Sequence, residues 1–169
     1  AGVVTTNSYD FKGNQLSSQR QLAQTYDQTL DWLGAVPLQA ETFTSIKTYD
    51  ALNRPVTVTG PDLTVVHPIY NEANLLERIE ANLRGAVDAT VFISDIDYDS
   101  KGRRTLVDHG NGVRTTYQYD PLTLRLTHLL STRDPVQFPD DCPQPPPPGF
   151  PGCQAQDLHY TYDPRGNVI

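Results

Sequence analysis

Tyr98-Asp99-Ser100-Lys101-Gly102-Arg103 returns 21 residues later as Tyr119-Asp120-Pro121-Leu122-Thr123, and this recurrence decides how the rest of the chain reads. The pattern also stands at Tyr9, Tyr49, Tyr70 and Tyr162; Tyr49 to Tyr70 is again 21 residues, Tyr70 to Tyr98 is 28 and Tyr119 to Tyr162 is 43. A period near twenty residues marks an array of small supersecondary units. Four positions after the tyrosines come Gly13, Asn53, Asn74, Gly102, Thr123 and Gly166. All but Thr123 accept positive φ cheaply, so this position reads as a turn. The residue after each tyrosine is Asp10, Asp50, Asp99, Asp120 or Asp163, with Asn71 once in its place. Each can accept hydrogen bonds from backbone N–H groups two or three residues on. Tyrosine, acid and turn residue together are read as a structural repeat motif.

A second turn signal lies between successive Tyr-Asp turns: Gly60-Pro61-Asp62, Gly85, Gly110-Asn111-Gly112 and Asp134-Pro135. Two alternating turns around runs of six to ten residues predict an all-β antiparallel meander with one hairpin per repeat. Leu52 to Thr59 with Thr64 to Tyr70, and Arg103 to His109 with Val113 to Tyr119, are the expected strand pairs. Tyr117 and Tyr119, like Tyr160 and Tyr162, share a face, and stacking between repeats would make an aromatic ladder. Asn74 to Arg84 has helix formers, with Leu75, Ile79 and Leu83 at helical spacing, yet the repeat phase assigns it to a strand. Residues 1–48 read as one repeat followed by a degenerate or interrupted one, in which Leu22, Tyr26, Leu30 and Leu33 suit a short amphipathic helix. Residues 49–169 read as the regular array, with a proline-rich loop inserted at 134–156. The chain starts at Ala1, has no methionine, and reaches Ile169 three positions after Gly166, so it reads as an excerpt.

A hydrophobic share of 37% with 14 prolines and 11 glycines favours short elements over long helices. A net charge of −7 and scattered Lys and Arg argue against nucleic acid as the main partner. No apolar run reaches the roughly 18 residues of a membrane span.

Candidate chemistry is sparse. Asp95-Ile96-Asp97-Tyr98-Asp99 opens like a calcium loop, but Ser100 and Leu106 stand where the glycine and glutamate belong. His67, His109, His128 and His159 fall in four different strands without zinc-ligand spacing, and no metal or cofactor is expected. Asp108 and His109, as strand neighbours, point to opposite faces, and no Gly-x-Ser-x-Gly occurs, so no catalytic residue is assigned. Asp163-Pro164 and Asp120-Pro121 are turn chemistry. Cys142 and Cys153, with ten residues between them, would be bonded in an oxidising compartment and free thiols in a reducing one; both readings stay open.

The units Tyr49-Asp50-Ala51-Leu52-Asn53-Arg54-Pro55, Tyr98 to Arg103 and Tyr162-Asp163-Pro164-Arg165-Gly166-Asn167 resemble the YD repeats of RHS proteins. The wider run from Tyr70 to Thr123 resembles RHS segments in the B and C components of bacterial insecticidal toxin complexes. The resemblance implies an arc of a hollow β-sheet shell enclosing a C-terminal cytotoxic polypeptide in a secreted or cell-surface protein. Its partners would be the remaining repeats and the enclosed toxin. The alternative is a cell-surface adhesion module whose exposed tyrosines bind a glycan or a partner protein. Leu63 replaces the glycine often seen after Pro-Asp, Thr123 breaks the turn rule, and neither the motif that ends an RHS core nor a toxin domain is visible.

Overall fold

A computed structural model describes residues 3–25, 27–141 and 154–169. Its strands are β1 (Val3–Tyr9), β2 (Gln15–Leu22), β3 (Phe43–Tyr49), β4 (Pro55–Thr59), β5 (Val65–Tyr70), β6 (Leu76–Asn82), β7 (Thr90–Tyr98), β8 (Arg104–His109), β9 (Arg114–Tyr119), β10 (Leu126–Thr132) and β11 (Gln154–His159). They follow one another through a sheet in chain order, and the pairings are antiparallel. The fold is thus the all-β hairpin meander that the alternating turns predict. The chain divides into two compact units, Ala1–Pro68 with Ala81–Thr90, and Ile69–Glu80 with Val91–Ile169.

In the first unit, β1 and β2 pair from Val3↔Leu22 to Tyr9↔Gln15, with a register shift between Ser8 and Tyr9. β3 and β4 repeat this plan, ending at Tyr49↔Pro55 after a shift between Thr48 and Tyr49. The shift places the tyrosine at the bulge where the turn begins. No helix forms around residues 27–34: Leu33 is 99% and Trp32 50% exposed, so the apolar stripe has nothing to pack against. Instead Gln24 N–H donates to Pro37 O at 3.0 Å and Gln39 N–H to Leu22 O at 2.8 Å, closing the segment onto the end of β2. Tyr26, the second residue of the expected stripe, lies outside the described residues.

In the second unit, one row of facing residues crosses four strands: Ile96 opposes Val107, Val107 opposes Thr115, and Thr115 opposes Ser131. These four are buried, and the two hydroxyls satisfy each other at 2.9 Å. Removing one hydroxyl strands its partner, whereas removing both leaves nothing unpaired. Ser131→Ala should therefore cost roughly 1–3 kcal/mol, and adding Thr115→Val should recover most of it. Urea titrations of the three variants check this; an uncoupled, additive pair would refute the hydroxyl link.

The ambiguous segment is strand, as the repeat phase demands. Its polar side chains are half-covered: Arg78 and Glu80 pair at 2.9 Å. The turn after it is longer than a single glycine suggests. Leu83–Gly85 forms a 3₁₀ turn with Arg84 at φ 49° and Gly85 at φ 77°, and Gly85 N–H donates to Leu63 O.

The two alternating turns share one backbone plan. Gly60 N–H donates to Thr64 O and Leu63 N–H to Gly60 O; His109 N–H donates to Val113 O and Gly112 N–H to His109 O. Each is a tight hairpin loop that needs a left-handed residue before the returning strand. That residue is Gly112 in one and Leu63, at φ 64°, in the other. Leucine carries a Cβ penalty there, and its side chain is 64% exposed and gains little from burial. Leu63→Gly should stabilise by about 0.5–1 kcal/mol in chemical denaturation, and a loss of stability would show that the leucine side chain matters more than its backbone strain.

Candidate functional site: the edge of Tyr-Asp turns

Each Tyr-Asp turn closes on itself through its acid. Asp99 Oδ1 accepts Lys101 N–H at 2.9 Å and Arg103 N–H at 3.0 Å, while Oδ2 accepts Arg103 Nε–H at 2.7 Å. Asp50 repeats this with Leu52 and Arg54, and Asp10 with Lys12 and Asn14. Asp163 accepts from both the backbone and side chain of Asn167 at 2.9 Å. Asn71 serves Ala73 and Leu75 through its one carbonyl oxygen. Behind the acid, the left-handed position is held by Gly13, Asn53, Asn74, Gly102 and Gly166. In the exceptional turn one residue is inserted: Thr123 donates through N–H and Oγ1 to Asp120 Oδ1, and Leu124 takes positive φ at 63°. Thr123 therefore breaks the spacing without breaking the turn.

These bonds hold the carboxylates ionised. Asp99 is pulled below its ordinary value first by the Arg103 side chain, Asp10 by Asn14, Asp163 by Asn167, and Asp50 by the Arg54 backbone N–H. With folded pKa values depressed, their stabilisation is present above the ordinary 3.8 and lost as pH falls through the lower folded values. The melting temperature should accordingly be insensitive to these groups between about pH 7 and 5 and fall steeply below about pH 4. Asp99→Asn should blunt that acid limb. A limb unchanged in Asp10, Asp50, Asp99 and Asp163 variants would remove the turns from the account.

The residue after the turn position is the one that sequence spacing leaves unnoticed. It is Asn14, Arg54, Arg103, Arg125 or Asn167, each able to reach back or across, with Leu75 the exception after the Asn71–Asn74 turn. Arg103 binds its own Asp99, lies 4.3 Å over the Tyr119 ring, and donates to Leu124 O at 3.1 Å. Arg125 lies 5.4 Å over the Tyr162 ring and donates to Asp163 O at 3.1 Å. Asn14 donates to Asn53 Oδ1 at 3.0 Å. The acid-to-Arg or acid-to-Asn spacing of four, five where a residue is inserted after Asp120, was the available signal.

The tyrosines complete the coupling from the other side. Tyr98 O–H donates to Leu76 O at 2.6 Å, Tyr119 to Arg104 O at 2.9 Å, Tyr162 to Leu126 O at 2.7 Å and Tyr49 to Gln15 O at 3.1 Å. Each acceptor begins or immediately follows the start of the strand leaving an earlier turn. Burial raises the Tyr98 and Tyr119 pKa values, which keeps both phenols protonated and donating. Tyr117, Tyr119 and Tyr162 have arginine over their rings, a guanidinium–ring contact that their sequence spacing does not reveal. Tyr9, at the first turn, is 56% exposed.

The remaining candidates fall into place individually. Ile96 is buried, Asp97 is exposed, and Asp99 is committed to its turn, so the calcium-like run does not converge. Asp108 faces Arg114 across the strands at 2.6 Å rather than His109. Two of the four histidines do meet: His128 and His159 are partners across β10 and β11, a juxtaposition their sequence separation conceals. Cys142 and Cys153 lie outside the described residues. Among the described residues, no helix is long and apolar enough to cross a membrane. A cavity of about 340 Å³ is lined by Arg20, Leu22, Phe43, Ser45 and Pro61, and one of 240 Å³ by Asp120, Arg125, Thr127, Tyr160 and Tyr162 among others.

No protein-family model matches the sequence. The chain is similar along its whole length to toxin subunit YenC2 of Yersinia entomophaga, 28% identical over 183 aligned residues, and spans 17% of that protein. Toxin subunit YenC1 of the same organism is 30% identical over 133 residues, covering 78% of this chain and 12% of the relative. Among solved structures, the Tc holotoxin pore of Photorhabdus luminescens matches 99% of this chain and 7% of its own, with a TM-score of 0.78 and 29% identity. The TcdB2-TccC3-Cdc42 crystal structure matches 96% of this chain and 7% of its own, with a TM-score of 0.76 and 30% identity. Sequence and backbone likeness each extend over most of the chain, and the chain is an RHS/YD-repeat protein resembling the repeat core of bacterial toxin-complex B and C components.

Proposed function

We propose that the chain is a non-enzymatic wall element of a secreted RHS/YD-repeat toxin shell, whose task is to sequester a C-terminal cytotoxic polypeptide. The observation that carries this reading is where the reactive side chains go. The aspartates are spent on their own backbone, four tyrosine hydroxyls on main-chain carbonyls, and Arg103 and Arg125 on the next turn along. Such a surface builds sheet and leaves little for turnover. Its similarity to toxin subunits supports the toxin setting. In the complete shell, neighbouring repeats would pair with the outer strands β1 and β11, leaving cargo and protease no template for strand addition.

The test uses the complete natural protein with its C-terminal polypeptide. Mild proteolysis should spare the enclosed polypeptide, and breaking the turns with Asp50→Ala, Asp99→Ala and Asp163→Ala should make it cleavable. Cargo that is digested equally in both forms would sink the proposal. The adhesion reading is weaker because three of the tyrosine faces carry arginine. A glycan array would revive it only if Tyr117→Ala and Tyr160→Ala lost binding while keeping their fold.

A further inference from the structure

Outside the turns, β10 and β11 bring three metal-binding side chains to one face. His128 and His159 are direct partners, with rings stacked at 4.1 Å and inclined by 12°. Asp157 stands two residues before His159, hence on the same face of β11. Its Oδ1 lies 2.6 Å from His128 Nε2 and 3.2 Å from His159 Nε2, and the three donor atoms fall within 4.8 Å of one another. We propose that His128, Asp157 and His159 form a transition-metal site, with Zn²⁺ the fitting occupant.

The chemistry favours a borderline-soft cation. Two imidazoles and one carboxylate are a zinc ligand set, whereas calcium and magnesium prefer six or more oxygens or several retained waters. Tetrahedral bonds of about 2.0–2.1 Å put neighbouring ligand atoms about 3.3 Å apart. The His159–Asp157 spacing of 3.2 Å already matches, and His128–Asp157 at 2.6 Å needs a side-chain shift of well under an ångström. Strand register fixes all three Cα positions beforehand, so little ordering remains for binding to supply. Exposure is graded, from 18% for the His128 side chain through 31% for Asp157 to 72% for His159. The cluster therefore opens to solvent on the His159 side, which provides both an entry path and room for a water in the fourth position. A metal held here would tie β11 to β10 across the long connection between Thr132 and Gln154.

The experiment is titration of the chelator-treated chain with ZnCl₂ by calorimetry, and with CoCl₂ by visible absorption. The expected result is about one saturable Zn²⁺ per chain at micromolar affinity, a tetrahedral Co²⁺ spectrum, and a zinc-dependent rise in melting temperature. His159→Gln and His128→Ala should each weaken binding roughly tenfold or more, and Asp157→Asn should weaken it too. His67→Ala, His109→Ala and the Cys142→Ser, Cys153→Ser double variant should bind as the parent does. His159 is exposed, so its variant should fold, and circular dichroism verifies that. The proposal is overturned by the absence of saturable binding, by binding that survives folded His159→Gln, or by binding lost only with the cysteines. In those cases the cluster is a hydrogen-bonded pair of imidazoles sharing one carboxylate.

Discussion

Alanine at Gly110 is expected to destabilise the chain by on the order of 3 kcal/mol or more, the largest effect of any single methyl addition here. A Cβ at this position would stand 2.6 Å from the Val91 carbonyl carbon and closer still to its oxygen. Backbone cannot rotate aside as a flexible side chain can. Moving it would also break the bond from Gly110 N–H to Phe92 O, which joins the turn to β7. Gly112, two residues on, is the control. Nothing lies within 4 Å of its would-be Cβ, and its demand is only a φ of 81°. Gly112→Ala should therefore cost about 1 kcal/mol, with Gly112→Asn milder, since asparagine tolerates the left-handed region. Urea denaturation of the three variants decides the matter. Equal losses at both glycines would mean that turn conformation, not strand contact, sets the requirement at Gly110.

Ile96→Ala is the second large effect, at roughly 2–5 kcal/mol. Ile96 is 4% exposed and opposes Val107 at 3%, and among the described residues these are the largest buried apolar side chains. A sheet with so little fully buried apolar surface has few neighbours able to relax into the space left by three lost carbons. Phe92, on the same strand but 47% exposed, should lose far less on truncation despite its larger ring. If Phe92→Ala proved the costlier change by thermal or urea unfolding, the Ile96–Val107–Thr115–Ser131 row would not be the centre of this unit.

Local chemistry made much of the architecture readable. The turn at Tyr98–Arg103 is determined by residues within it, and so β7 and β8 end and start close to where the sequence places them. The same holds for β4 and β5, and for the strand nature of 76–82, where phase from the preceding Asn71–Asn74 turn outweighs helix propensity. What stayed hidden depends on distance along the chain. Arg103 is a turn residue by spacing, but its reach to Tyr119 and Leu124 needs the lateral register of the next repeat. His128 and His159 meet only because β11 returns in one particular alignment after a long connection. The helix expected near Trp32 failed for the complementary reason, since an amphipathic stripe specifies nothing without a surface to cover it. Gly110 was legible as a turn glycine, yet the reason for it lies in Val91 on a neighbouring strand.

The chain-order arrangement of the strands also has a kinetic meaning. Because each strand's neighbours in the sheet are its neighbours in sequence, most pairings close short loops, the β2–β3 and β10–β11 connections excepted, and contact order is kept low for an all-β protein. Assembly can then keep pace with synthesis, each hairpin docking onto the last as it leaves the ribosome. The cost is a growing edge that is unpaired at every moment until the next strand arrives, so the time taken to synthesise the long connection between β10 and β11 should govern how much of the nascent protein aggregates.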